Sequence, residues 1–201
     1  MTGIVLHPGN GVPAAFTQGM LDWLPWLEPP AADALTERQR VSLVDPGRAN
    51  SAYFRLLALD PDVLEARTRT DKDIFYNTDA GLPRAERELA AAAASRLNGC
   101  IYCASVHARF AVTHSRRPAD VQRLLDEGVN ADLGERWNAV VAASVALSAT
   151  PVAFDASHVE RLRRAGLDDL AIVDVINGAA FFNWANRLML SLGEPAVVPA
   201  S

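Results

Sequence analysis

The apolar residues of this chain recur mostly at helical spacing, three or four positions apart. From Phe16 to Leu27 this spacing predicts a short helix that is interrupted at Pro25. Asp60 followed by Pro61 predicts the start of another, with aspartate as the N-cap and proline at the first helical position. Few stretches alternate with a period of two, so the pattern predicts no sheet and an all-α fold. The helices predicted after residue 27, including the one that Asp60 caps, span residues 33–43, 50–59, 60–75, 83–97, 100–115, 119–127, 133–148, 157–165 and 168–192.

The length of 201 residues fits one domain, or two small helical halves that share one core. Residues 1–15 carry glycine and proline without a clear period and are interpreted as an extended arm. We therefore divide the chain into an N-terminal helical extension, residues 1–80, and a core, residues 81–195, packed together as one unit. The role of the extension is open at this point, because a substrate entrance and a subunit contact are both compatible with its sequence.

Net charge and hydropathy indicate which partners and which cellular location to expect for this chain. The net charge is −5 and Lys72 is the only lysine among 19 basic residues, which form no basic stripe of the kind that binds nucleic acid. No apolar run approaches the roughly 18 residues that a membrane-spanning helix needs. The N-terminus lacks the basic and apolar regions of a signal peptide, so we expect a cytoplasmic protein. The apolar helices 133–148 and 168–192 favour a homo-oligomer.

Both cysteines of the chain lie three residues apart, directly after an Asn98-Gly99 helix stop. This places Cys100 in the first turn of the next helix, where the spacing to Cys103 lets the two sulfurs approach bonding distance. The unpaired N–H groups and the positive dipole end of a helix favour thiolate over thiol. In the cytoplasm such a close pair is more typical of redox catalysis or metal binding than of a structural disulfide.

Two further side chains complete a reactive group. His107 follows Cys103 by four residues and so lies on the same helix face, where it can accept the thiol proton and later return it. Glu88 lies on the preceding helix and can orient the imidazole if the two helices pack antiparallel, which the small residues 90–94 permit. The residues thus indicate thiolate attack on an electrophile, with the oxidised sulfur resolved by the second thiol.

Other readings of the same residues stay open. Cys100, Cys103 and His107 with a carboxylate also fit a zinc site, although structural zinc usually draws on two separated ligand pairs and no second pair exists here. The thiol pair can equally be a disulfide-exchange centre or a redox sensor. No catalytic or ligand-binding role is assigned to the polar residues elsewhere in the chain. Glu86 is read as a solvated helix residue, His114 as surface or core filler, and Asn183, Asn186 and Arg187 as packing or oligomer contacts.

The complete pattern is Glu88, Cys100-x-x-Cys103 and His107, with the phrase Asn98-Gly99-Cys100-Ile101-Tyr102-Cys103. It resembles the AhpD alkylhydroperoxidase family of the carboxymuconolactone-decarboxylase-like superfamily. The resemblance implies an AhpD-like helical bundle with the Cys-x-x-Cys pair at the N-terminus of a central helix. It also implies an oligomeric peroxidase that reduces organic hydroperoxides without haem, metal or another cofactor.

The resemblance implies a role for each site residue. Cys103 would be the peroxidatic thiolate, Cys100 the resolving thiol, and His107 with Glu88 the proton relay. The reductant would be an external dithiol, in the best-known members a lipoylated protein. Tyr102 departs from the best-known peroxidases, which carry histidine just before the second cysteine, so the relay or the substrate can differ here.

Overall fold

The computed structural model describes residues 3–198 and confirms the all-α fold class. A short 3₁₀-helix at Pro46–Asn50 precedes the second helix. The α-helices are α1 (Glu37–Ser42), α2 (Ala52–Leu57), α3 (Pro61–Tyr76), α4 (Arg84–Leu97), α5 (Ile101–Ser115), α6 (Pro118–Glu127), α7 (Glu135–Ser148), α8 (Ala156–Arg164) and α9 (Asp169–Leu192).

Helix boundaries follow local capping chemistry closely. The Asp60 side chain accepts a hydrogen bond from the Val63 amide at the start of α3, with Pro61 at the first position. Between α4 and α5, Gly99 adopts a φ of +76°, a left-handed conformation that most residues avoid. Cys100 then caps α5 instead of lying inside its first turn. The capping residues in the sequence therefore predict where these helices begin and end.

The prediction of a helix over residues 16–27, and of no sheet at all, is wrong. Strand β1 (Leu21–Pro25) pairs antiparallel with β2 (Gly193–Val197), which continues directly from the end of α9. A Cβ atom at Gly193 would lie 2.2 Å from the Leu24 carbonyl oxygen and 2.4 Å from the Trp23 ring, so only glycine fits there. The Trp23 indole also donates to the Met189 carbonyl at 3.3 Å. Contacts with a segment at the other end of the chain therefore decide the conformation of this region.

The core is centred on α4. Its alanine run, residues 90–94, is completely buried, and the small side chains allow α5, α7 and α9 to pack closely around one helix. Helix α3 packs against α4 and α9, so the N-terminal residues contact the same bundle. The division at residue 80 stays a prediction, and the first two residues of the extension lie outside the described range.

Two surface features bear on the predicted partners. No helix in residues 3–198 is long and apolar enough to cross a membrane. Helix α9 leaves apolar side chains exposed, whereas much of the apolar surface of α7 is buried within the chain. The homo-oligomer stays a prediction. The exposed apolar residues of α9 are Leu170, Val173, Trp184 and Leu190.

Candidate active site

Helix α5 folds back along α4 after the turn at residues 98–99, and this brings Glu88 against His107. The Glu88 Oε2 and His107 Nδ1 atoms are 2.6 Å apart, and the Glu88 side chain is 1% exposed. Arg84, one turn earlier on α4, donates its Nε to Glu88 Oε1 at 2.6 Å. A carboxylate that binds arginine is only an acceptor, so His107 Nδ1 carries the proton. The Nε2 atom is left to exchange protons with a group in front of the ring.

Aromatic rings hold the His107 imidazole on its other sides. The Phe182 ring on α9 meets it edge-on, with the ring centres 3.9 Å apart, and the Phe75 ring on α3 lies 5.3 Å away. Because the ring is fixed by packing as well as by Glu88, it points in one direction without a rearrangement. Such fixed orientation is what a residue that transfers a proton requires.

The two thiols are free and nearly buried at the N-terminus of α5. The Cys103 thiol donates a hydrogen bond to Cys100, and this bond is the main cause that lowers the pKa of Cys100, with the Cys103 amide adding to it. The same bond, together with burial, raises the pKa of Cys103 well above the usual value for a thiol. Cys103 is therefore the harder of the two thiols to ionise, and it needs a base to become a thiolate.

Asn186 on α9 supports the thiol pair from below and is completely buried. Its amide nitrogen donates to Ser95 Oγ at 3.0 Å, and its oxygen accepts from Asn98 Nδ2 at 3.1 Å. The amide also favours the ionised form of both cysteines, because it lowers the pKa of each. The sequence interpretation of Asn186 as a packing residue fits this position, whereas an oligomer contact does not, because the side chain is buried within the chain. Its place next to the thiols was not predicted.

A small cavity of about 210 Å³ opens beside Cys103 and His107. Three parts of the chain line it. The thiol wall consists of the lining residues between positions 84 and 110 on α4 and α5, and the N-terminal wall of those between 48 and 76. Lining residues between 182 and 189 on α9 form the third side. Cys103 reaches this cavity, whereas Cys100 lies behind it. Cys103 is thus the thiol that a small molecule meets.

The comparisons with known proteins agree with this architecture. The sequence model of the carboxymuconolactone decarboxylase family matches residues 61–146. A peroxidase-related protein from Ralstonia eutropha JMP134, with an alkylhydroperoxidase AhpD core, is 22% identical over 87% of this chain and 90% of its own, with a TM-score of 0.69. A peroxidase-related protein from Silicibacter sp. TM1040 is 24% identical over 85% and 91%, with a TM-score of 0.70. The chain thus resembles the carboxymuconolactone decarboxylase family over residues 61–146 and shares its fold with AhpD-like proteins.

A third structure with the same fold is that of the debrominase Bmp8, as a cysteine-to-alanine variant in complex with 2,3,4-tribromopyrrole. It is 21% identical over 85% of this chain and 91% of its own, with a TM-score of 0.65. At these identities the three structures establish a shared fold, not a shared substrate. No curated protein matches the sequence.

The N-terminal wall supplies polar groups to the cavity that sequence reasoning did not single out. Arg48 and Arg67 both bind the Asp71 carboxylate, at 3.1 and 3.3 Å. The Tyr53 hydroxyl is buried, and burial is the main cause that raises its pKa far above the usual value. Tyr53 and Phe54 stack edge-to-face, and the Arg48 guanidinium lies 4.5 Å from the centre of the Phe54 ring. A motif search could not find these residues, because no fixed spacing links them to the cysteines.

The geometry also bears on two further sequence interpretations, the solvated Glu86 and the zinc site. Glu86 is not a solvated residue: it is 7% exposed and forms a two-pronged ion pair with Arg136, at 2.7 and 2.8 Å. For the zinc alternative, no cluster of three or more His, Cys, Asp or Glu side chains in residues 3–198 is placed to hold a metal ion. The Glu88 carboxylate is instead occupied by Arg84 and His107.

Proposed function

We propose that this AhpD-like protein is a thiol-dependent alkylhydroperoxidase. The observation that carries the proposal is that Cys103, His107 and Glu88 line one small cavity, with Cys100 directly behind Cys103. The family and the peroxidase-related structures of the same fold support the general class. The roles of the four residues are part of the proposal.

In the first step, His107 takes the proton of Cys103 through Nε2, and Glu88 stabilises the resulting imidazolium. The raised pKa of Cys103 is the reason that a positioned base is needed. The Cys103 thiolate then attacks the outer oxygen of the hydroperoxide, so that an S–O bond forms as the O–O bond breaks. The departing alkoxide takes the proton back from His107, leaving an alcohol and a sulfenic acid on Cys103.

In the second step, Cys100 attacks the sulfur of this sulfenic acid. An S–S bond forms, the S–O bond breaks, and the leaving hydroxide departs as water with the proton of Cys100. The lowered pKa of Cys100 suits a resolving thiol, since it is ionised more readily than its neighbour. Both thiols are oxidised and one hydroperoxide is reduced to alcohol and water. An external dithiol, such as a lipoylated protein, then reduces the disulfide. The proposal also includes that the protein is a cytoplasmic homo-oligomer.

The test is a free-thiol count on reduced protein, before and after one equivalent of cumene hydroperoxide. We expect two thiols to fall rapidly to none in the native protein. Cys103→Ser should lose the reaction, by about a thousandfold or more, because the nucleophile is gone. Cys100→Ser should still be oxidised once, giving a sulfenic acid that dimedone traps at Cys103.

The outcomes separate the alternatives. If both thiols survive excess hydroperoxide yet are oxidised by a disulfide reagent, the protein is a thiol–disulfide oxidoreductase and the peroxidase proposal is wrong. If the disulfide forms rapidly but a dithiol such as dihydrolipoamide sustains no turnover, the pair acts as a redox sensor. If dimedone labels Cys100 in the Cys103→Ser variant as fast as it labels Cys103 in the Cys100→Ser variant, the two sulfur roles are not distinct.

Reductive dehalogenation is a second candidate, favoured by the aromatic lining of the cavity next to Cys103. The debrominase of the same fold binds a small brominated ring. Here the Cys103 thiolate would take the bromine from carbon, the carbon would take a proton, and Cys100 would displace bromide to form the disulfide. The measurement is bromide release from 2,3,4-tribromopyrrole with loss of both thiols. No bromide under conditions that oxidise the pair with hydroperoxide would exclude it.

A further inference from the structure

Two side chains that line the cavity on the N-terminal wall carry a buried polar atom without a partner. Within the described residues, 3–198, neither the Tyr53 hydroxyl nor the Arg67 Nε has a hydrogen-bond partner. Tyr53 is 5% exposed and Arg67 8%, and both line the cavity. A buried donor that stays unpaired costs about 1–3 kcal/mol, and more when it is charged. A ligand with acceptor atoms would remove this cost.

The charges around the cavity indicate that such a ligand is negatively charged. Three arginines line it, against two carboxylates. Arg84 is matched by Glu88, whereas Arg48 and Arg67 share the single carboxylate of Asp71. The side chains of Arg48, Arg67 and Asp71 are all 16% exposed or less, so water screens this group poorly. The N-terminal wall therefore carries one positive charge that is not compensated within it.

The rest of the lining is apolar and mostly aromatic. At about 210 Å³ the cavity is smaller than the 300–1,000 Å³ typical of sites for drug-sized ligands. A compact ligand with a flat apolar body suits such a space. The aromatic residues that line the cavity are Tyr53, Phe54, Phe75, Tyr76, Tyr102, Phe110 and Phe182.

We propose that the cavity binds small carboxylates with an apolar, preferably aromatic, body, and that Arg67 and Tyr53 hold the carboxylate. Arg67 Nε and the Tyr53 hydroxyl donate to its oxygens, which leaves the apolar body between the rings and towards Cys103. As far as it names a substrate, this inference rests on the proposed function: the preferred hydroperoxide then carries a carboxylate on a small apolar frame.

The uncompensated charge has one competing use, which is to stabilise the Cys103 thiolate itself. The Arg67 charge does act in this direction, since it lowers the pKa of Cys103, but it is the last of the contributions. Among the residues that the structure describes, the Arg67 Nε and the Tyr53 hydroxyl bond to neither sulfur. The free donors therefore favour a ligand, and the experiment separates the two uses.

The experiment measures binding of benzoate to the reduced full-length protein by calorimetry, with benzyl alcohol as the neutral analogue of the same ring. No peroxide is present, so the result does not depend on turnover. We expect benzoate to bind about tenfold or more tightly than benzyl alcohol. Arg67→Gln and Tyr53→Phe should each lower the affinity for benzoate by about tenfold and leave the affinity for benzyl alcohol unchanged. Arg69→Gln is the control, because Arg69 lies on the same helix, is 65% exposed and pairs with Glu65.

Tyr53→Phe keeps the ring and removes only the hydroxyl, so it tests the proposal even if Arg67→Gln does not fold. Equal affinities for benzoate and benzyl alcohol would overturn the proposal, as would wild-type benzoate affinity in Tyr53→Phe. A third result would also contradict the proposal. If the Arg67→Gln variant binds benzoate normally but its Cys103 reacts more slowly with iodoacetamide, the Arg67 charge stabilises the thiolate and not a ligand. If hydroperoxide fails to oxidise the thiols while benzoate binds as expected, the peroxidase proposal fails and the carboxylate site stands.

Discussion

The thiol wall and the N-terminal wall of the cavity differ in how their polar side chains are paired. On the thiol wall, Glu88 is hydrogen-bonded to both Arg84 and His107, and the free thiol of Cys103 donates a hydrogen bond to Cys100. On the N-terminal wall, the Tyr53 hydroxyl has no partner in residues 3–198, and neither does the Arg67 Nε. Both walls are buried, so the difference does not come from solvent.

This difference is informative about the work of each wall. A proton relay must be in place before the substrate arrives, so its members are bonded to one another. The donors of a recognition surface stay unpaired until a ligand binds, and the free-energy cost of leaving them unpaired is removed only then. We infer that the thiol wall performs the reaction and that the N-terminal wall selects the molecule. The predictions below break or sharpen this assignment, from the largest expected effect to the smallest.

Removing the base should have the largest effect on the thiol wall. We expect His107→Gln to slow disulfide formation by about 10²- to 10⁴-fold, because Cys103 then has no positioned acceptor for its proton. Acid-quenched thiol counts after rapid mixing with cumene hydroperoxide measure the rate. His114→Gln is the matched control, since His114 is an exposed histidine on the same helix. A rate within a few fold of the native protein in His107→Gln would remove histidine from the mechanism.

Removing the group that orients the base should cost less. Glu88→Gln keeps the shape of the side chain but leaves Arg84 without its carboxylate, so we expect about a hundredfold loss of rate and about 1–3 kcal/mol of unfolding free energy. Glu86→Gln is the control, because Glu86 lies on the same helix as Glu88 but pairs with Arg136 of α7, and neither residue lines the cavity. We expect Glu86→Gln to lose stability but not rate. Equal losses of rate in both variants would mean that Glu88 acts only through the fold.

Much of the thiol wall could be predicted from the sequence, because its parts lie close together along the chain. Four residues bring His107 onto the face of Cys103, and the Asn98-Gly99 stop turns α5 back along α4. Glu88 then meets His107 through the geometry of two adjacent helices. The helix bounds also follow from local signals such as the Asp60 cap. Local chemistry and a single turn are enough for this part of the molecule.

The remaining features depend on contacts that local patterns do not contain. Strand β1 exists because Gly193, at the far end of the chain, makes room for Trp23. Asn186 reaches the thiols only through the packing of α9 under the α4–α5 turn. Tyr53 and Arg67 come from two different helices, and nothing in their spacing relates them to Cys103. In each case the decisive partner is distant in sequence.

The thiol pair offers a test that depends on pH. The hydrogen bond from Cys103 to Cys100 lowers the pKa of Cys100 and raises that of Cys103. In Cys100→Ala the main cause of the raised pKa of Cys103 is gone, so its reaction with iodoacetamide should shift to lower pH. In Cys103→Ala the main cause of the lowered pKa of Cys100 is gone, so its reaction should shift to higher pH. Mass spectrometry of each native and variant thiol across pH measures both shifts, and unmoved curves would show that the sulfurs titrate independently.

The smallest predicted effect concerns the ring that holds the arginines of the N-terminal wall. The Phe54 ring lies 4.5 Å from the Arg48 guanidinium and 5.4 Å from that of Arg67. Each such contact contributes about 0.5–1 kcal/mol at exposed sites and more where water is excluded. Phe54→Leu keeps an apolar side chain but removes the ring face, so we expect about 1–2 kcal/mol less unfolding free energy. Arg67 would also be held less firmly, which should weaken benzoate about two- to fivefold and leave the rate of disulfide formation unchanged.

A matched variant shows whether this effect belongs to the wall or to the whole fold. The Phe16 ring lies 4.1 Å from the Arg96 guanidinium, and neither residue lines the cavity. Phe16→Leu should therefore lose a similar amount of stability without changing the affinity for benzoate. Calorimetry with benzoate and chemical unfolding of both variants measure the two quantities separately. If both variants weaken benzoate equally, the affinity follows global stability, and the N-terminal wall has no special part in holding the carboxylate. If only Phe54→Leu weakens the binding of benzoate, the fixed position of Arg67 contributes to recognition while the thiol wall is left intact.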